Sequence, residues 1–133
     1  MNNLQVIQNE GEWTVKGQLS LHTDASVLSA RGTNQTATKT ATGEYTVVIK
    51  GTANLKLVEM LNERCNFSGG APAAALGCRV HSVAQASDGT DAITIVLKTT
   101  AAAGGSGADT DTTAAVKLNY EVVIRVVKMG NPL

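Results

Sequence analysis

Residues 117–128, KLNYEVVIRVVK, constrain this chain more than any other stretch in it. Leu118, Tyr120, Val122, Ile124 and Val126 fall at every second position, with Lys117, Asn119, Glu121 and Arg125 between them. An apolar residue at every second place is the pattern of a β-strand with one face buried. On a helix the same five side chains would be scattered around the circumference. The run exceeds the roughly 5–6 residues of an ordinary strand, so it is expected to be a central strand with which others pair.

The rest of the chain repeats that alternation in shorter pieces. Residues 12–21 place Trp13, Val15, Leu19 and Leu21 on one face. Gly17 shares that face and marks a bulge or a close approach. Residues 26–31 form a weaker strand candidate. Residues 36–40 and 44–50 read as a hairpin closed by a tight turn with Gly43, and Tyr45, Val47 and Ile49 point one way. Residues 55–61, LKLVEML, fit two patterns. A helix would put Leu57, Val58, Leu61 and Cys65 on one stripe; the short apolar run and its β surroundings favour a strand. Residues 66–77 have the composition of a loop, and 78–84 read as strand. Asp88-Gly89 marks a turn before an alternating stretch at 93–99. Residues 100–115 form a long loop of small and acidic residues, of the kind that tends to carry function. The expectation is an all-β antiparallel sandwich or barrel-like domain of about seven or eight strands, formed by residues 12–133 and preceded by an arm or edge strand at 1–11.

Composition narrows the function classes. A chain of 133 residues suffices for one core. Its 11 basic and 11 acidic residues cancel, and no cationic cluster stands out. Neither that balance nor an aromatic content of 3% suits a nucleic-acid partner. The first residues lack the basic and apolar regions of a signal peptide. No apolar run reaches the roughly 20 residues of a membrane helix. A soluble protein made in a cytoplasm is expected, with no membrane partner. In a reducing compartment Cys65 and Cys78 are expected as two buried thiols, a disulfide across the intervening Gly/Ala-rich segment being the lesser alternative.

Candidate chemistry is sparse. A Ser-His-Asp arrangement needs a histidine base, and His22 and His81 lie in a turn and a strand with no nucleophile elbow nearby. Cys78 and His81 are three residues apart, so a strand would aim them at opposite faces and away from a shared metal. Asp109 and Asp111 could offer oxygens to calcium, but the full loop pattern is missing, and a solvated acidic loop is the plainer reading. Ser68-Gly69-Gly70 and Gly104-Gly105-Ser106-Gly107 lack the lysine and helix start of a phosphate cradle. Asn34 and Asn66 head N-glycosylation patterns that, without a secretion signal, read as chance. Trp13 is expected in the core rather than stacked on a ligand. No catalytic, cofactor-binding or metal-ligating residue is assigned, no cofactor is called for, and an enzyme is not expected.

The ordered series TATKTATGEYTVVIKG (36–51), LKLVEML (55–61), GCRVHSV (77–83), DGTDAITIVLKTT (88–100), a small-residue loop and KLNYEVVIRV (117–126) resembles small structural proteins of tailed bacteriophages that decorate or cement the capsid shell. Gly43, Tyr45 and Thr46 fill that family's hairpin motif, and Ala108-Asp109 its loop position. The cysteine-bearing segment 65–78 departs from the pattern. The resemblance implies a virion location on the capsid surface, the major capsid protein as partner, and self-association as a homodimer or homotrimer. It brings no catalytic residues. The arm at 1–11 and the loop at 100–115 are the parts expected to reach a neighbour. Other expectations are a tail or head-fibre subunit and, from a different class, a carbohydrate-binding β-sandwich, for which four aromatic residues leave little to present to a sugar.

Overall fold

The structure, a computed structural model, describes residues 10–52, 55–68, 76–85, 92–101 and 107–128. Those residues form eight strands: β1 Glu10–Leu21, β2 Val27–Arg31, β3 Gln35–Ala41, β4 Glu44–Ile49, β5 Leu55–Ser68, β6 Gly77–Gln85, β7 Ile93–Thr100 and β8 Val116–Lys128. They pair antiparallel into two four-stranded sheets, ordered β2-β1-β8-β5 and β3-β4-β7-β6. The chain is an all-β sandwich. Its inner faces supply the core: Leu19, Tyr45, Val47, Ile93, Ile95, Leu97, Leu118, Val122 and Ile124 have no exposed surface.

The alternation of β8 is realised in full. Leu118, Tyr120, Val122, Ile124 and Val126 are all buried, and the strand pairs with β1 on one side and β5 on the other. The β1–β8 ladder runs through consecutive pairs from Glu10–Val127 to Leu21–Val116 with no shift of register. Gly17 faces Tyr120 in that ladder, and a Cβ on it would lie 2.0 Å from the phenol oxygen. The glycine is a close approach and not a bulge: it makes room for an aromatic ring across the strand pair.

Several expectations need correction. Trp13 shares the inward face of β1 but remains 36% exposed. Beside it, β2 pairs only with Gln18–Leu21, so the first half of β1 has no neighbour on that side. Residues 66–68, read as loop, continue β5, which is a strand of 14 residues. Residues 10 and 11 belong to β1; the remainder of the expected arm, 1–9, lies outside the described residues, as do the Asp88-Gly89 turn and residues 102–106. Thr100 closes β7, and Asp109 bridges back to it. The expected long loop is therefore tied back on itself, its first residue to Asp109.

Candidate interaction site

At one end of the sandwich the β3–β4 turn meets the segment leading to β8. Gly43 adopts φ 62°, and a Cβ there would lie 2.6 Å from both the Thr99 carbonyl oxygen and the Thr110 amide nitrogen. Only glycine combines this left-handed backbone with such an approach. Thr99 N–H donates to the Gly43 carbonyl (2.9 Å), and Gly43 N–H donates to Asp111 Oδ1 (2.7 Å). Thr110 N–H and Ala101 N–H bond the carbonyls of Thr99 and Ala108, at 2.9 and 2.8 Å. Two ion pairs frame the knot: Lys39–Asp111 at 3.0 Å and Lys98–Asp109 at 2.9 Å. Burial pushes the Asp111 carboxyl up, but the Gly43 N–H and the Lys39 ammonium outweigh it and hold the group below the ordinary carboxylate range. The two carboxylates considered as oxygen donors to calcium are thus taken by lysines and a backbone amide. Tyr45, the next inward residue of the hairpin, donates its hydroxyl proton to the Ala25 carbonyl (2.6 Å), fastening the knot end to the turn after β1.

The sandwich has two flanks where a strand lacks a lateral neighbour, and a glutamine from the opposite sheet reaches each. Gln35 of β3 donates to the Lys16 carbonyl (3.0 Å) and accepts from the Tyr120 hydroxyl. Burial raises that phenol to about 12. On the other flank, Gln85 of β6 accepts from Leu57 N–H (3.0 Å) and donates to the Leu55 carbonyl (2.7 Å), standing in for a missing strand partner.

Beyond that amide, β5 departs from regular pairing. Its register against β8 shifts at Val58 and again at Leu61, each an extra residue opposite an unbroken partner. Val58, Met60 and Leu61 are 48%, 41% and 38% exposed. They are exposed apolar side chains on an edge strand, between the Gln85 amide and Cys65. Both Cys65 and Cys78 are free and half-buried. The neighbouring Cys78 thiol, with burial and the Glu63 charge, raises Cys65, and the Cys65 thiol lowers Cys78 against the opposing cost of burial.

The Gln35 flank carries a different feature, an open cleft of 390 Å³ bordered by Trp13, Lys16, Asn34, Gln35 and Lys50. His22 sits in the turn that Ala25 closes, and its backbone N–H bonds the Ser26 carbonyl. His81 is exposed at a bulge of β6, where the register against β7 shifts between Val80 and Ser82. Asn66 accepts a hydrogen bond from Asn119 (3.0 Å). No group of three or more His, Cys, Asp or Glu residues suited to a metal occurs among the described residues, nor is any helix long and apolar enough to cross a membrane. Sequence reasoning missed the exposed apolar stretch of β5 and the cleft. Trp13 gave no sign of exposure, because it alternates correctly and lacks only a covering strand.

Comparison with protein-family models, with curated proteins and with solved structures finds no match to this chain.

Proposed function

We propose that the chain is a bacteriophage virion structural protein that decorates or cements the capsid, binding the outer surface of the major capsid protein lattice without doing chemistry. The observation that carries this reading is the knot at Gly43. The Gly43-Glu44-Tyr45-Thr46 hairpin and the Ala108-Asp109 segment, 65 residues apart in the chain, are the two motifs on which the resemblance to phage decoration proteins rests. In the fold both are fastened to the same stretch of β7: Thr99 N–H donates to the Gly43 carbonyl, and Asp109 pairs with Lys98 and bridges to Thr100. The rest of the molecule suits the role. A sandwich with a balanced charge docks by shape rather than by electrostatic steering. Val58, Met60 and Leu61 offer exposed apolar surface of the kind that marks contact sites, and many copies on a repeating lattice add their weak contacts.

The test is cosedimentation of the purified protein with heads lacking it, taken from the particle whose genome encodes it. The protein should saturate the heads at a fixed copy number. The triple variant Val58→Thr, Met60→Thr, Leu61→Thr should bind at least about tenfold more weakly with an unchanged melting temperature. Copies found on tails or fibres and not on heads would move the chain to another virion component. Failure to bind any part of the particle would end the virion reading.

The exposed Trp13 favours a second reading, a carbohydrate-binding sandwich. An indole beside Asn34, Gln35 and Lys16 pairs a stacking surface with hydrogen-bonding groups, the usual make-up of a small-ligand site. A glycan screen with Trp13→Ala as control separates the two. Tryptophan-dependent sugar binding without head binding would select the second.

A further inference from the structure

We propose that the cleft beside Trp13 takes an anionic saccharide, a sugar unit carrying a carboxylate or sulfate group, whose ring stacks on the indole while its charge meets the cations gathered on that flank. The inference rests on the carbohydrate reading of the cleft, which it deepens, and is independent of the capsid reading.

The cleft exists because β2 is short. β2 pairs only with Gln18–Leu21 of β1. After Arg31 the chain crosses through residues 32–34 to β3 in the other sheet. The first half of β1 is left without a lateral neighbour, and the cleft opens there, between Trp13 and Val15 of β1 and the residues Asn34, Gln35 and Ile49. Val15 and Ile49 are buried, so the cleft ends on the core, whereas the indole of Trp13 is exposed. Two left-handed backbones shape the far rim, Asn34 at φ 55° and Gly51 at φ 78°. Lys50 N–H donates to the Asn34 carbonyl (2.8 Å) and fixes that rim. The Asn34 side-chain amide lies beside Gly51, where a Cβ would sit 3.6 Å from its Nδ2. Among the described residues this amide has no hydrogen-bond partner, which leaves it to a ligand hydroxyl.

The charge of the flank decides which saccharide. Lys16 and Lys50 border the cleft, and among the described residues no acidic one does. A neighbouring hollow of 340 Å³ shares Lys16 and adds Arg31, again with no acidic residue described beside it. Three cations that lie far apart in the sequence thus come to one flank, in a chain whose 11 basic and 11 acidic residues cancel overall. Among the described residues, these three make one ion pair, Lys16–Glu121 at 3.2 Å. The Lys16 side chain is 71% exposed, so that pair is weak and open to exchange. Arg31 and Lys50 are exposed as well. Long flexible stems let such charged heads follow a ligand at the rim. An aromatic face, an amide and cations match a sugar ring with an apolar face, hydroxyls and a negative group. A nucleic-acid strand would need further stacking platforms, and both tyrosines of the chain are buried.

Trp13 is the single tryptophan of the chain, so its fluorescence reports on the cleft directly. The full chain is screened on an array of neutral, carboxylated and sulfated glycans. The tightest anionic glycan is then titrated beside its uncharged counterpart, the methyl ester of a uronate or the desulfated sugar. The anionic form should shift the tryptophan emission and bind about fivefold tighter, near the upper limit for one exposed ion pair. That preference should vanish in about 1 M salt, where charges are screened within about 3 Å. Lys50→Gln should remove most of the preference, and Lys50→Arg should keep it. Trp13→Ala, followed by calorimetry, should lose binding of both forms; melting temperatures show that each variant is folded. Neutral glycans that bind as tightly as anionic ones would overturn the proposal and leave the carbohydrate reading standing. An array with no bound glycan would overturn both. An equal response to a mononucleotide would show that any charged ring suffices, and would overturn the saccharide assignment.

Discussion

β8 has two neighbours, and it treats them differently. Against β1 it forms an unbroken ladder over the whole length of the shorter strand. Against β5 it pairs over a similar length but loses register twice. The inward face of β1 buries Val15, Leu19 and Leu21, whereas no side chain of β5 is fully buried. Yet β5 is the longer strand, and its composition is more apolar in the affected stretch. The contrast teaches that backbone pairing and core burial are separable. β1 does both; β5 pairs, but it contributes to the core only at its ends, through Leu55, Leu57, Cys65 and Phe67. The apolar surface it does not bury stays exposed at this edge, at Val58, Met60 and Leu61.

The largest effect expected from this difference is in the core. Ile124 is fully buried and pairs with Trp13 on one side and Met60 on the other. Ile124→Ala should cost about 2–5 kcal/mol, from lost transfer energy and the cavity left behind. Leu57→Ala removes a side chain of similar size that is only half-buried, and should cost less than about 2 kcal/mol. Chemical denaturation of both variants measures the gap. Equal losses would mean that β5 is as much a core strand as β8.

That asymmetry explains how much the sequence revealed. An unbroken period of two told where β1, β4, β7 and β8 lie, because each obeys it in pairing and, Trp13 at the uncovered start of β1 apart, in burial. In β5 the period is interrupted. Leu57-Val58 and Met60-Leu61 are the doubled apolar pairs that imitate a helical stripe, and they fall where the register shifts. An extra residue in a strand turns a spacing of two into three, which is why residues 55–61 read both ways. The polar end of the same strand, residues 66–68, carries a glycine-rich neighbour and passed for loop. The partners were hidden for another reason. Nothing local in NQT or AQ announces that Gln35 and Gln85 reach across to the opposite sheet, nor that Gly43 will rest against Thr99 and Thr110. Those contacts belong to the topology.

A smaller effect is expected at the β1 side, where the ladder is regular but tight. Gly17→Ala places a Cβ within 2.0 Å of the Tyr120 oxygen and 2.3 Å of the ring carbon that bears it. The ring is buried and its hydroxyl is held by Gln35, so it has little freedom to yield. Overpacking of this kind should cost about 1–3 kcal/mol, read as a lower denaturation midpoint with an unchanged slope. Unaltered stability would show that Tyr120 can swing out at no cost and that the β1 flank is as loose as the β5 flank.

The smallest effect, and the most local, is expected at the β5 edge. Gln85→Ala leaves the Leu57 N–H and the Leu55 carbonyl without the side-chain amide that completes them. Water can replace part of what is lost at this half-buried edge, so the stability cost should be about 1 kcal/mol. Amide exchange is the sharper measure. Leu57 N–H should exchange much faster in the variant, while N–H groups of β1 and β8 in the unshifted ladder keep their protection. This outcome would place the weak link of the sandwich at the edge, in the stretch of β5 where the register shifts. If protection were lost along β8 as well, the two seams would open together, and pairing to β5 would have to count among the bonds that hold the central strand in place.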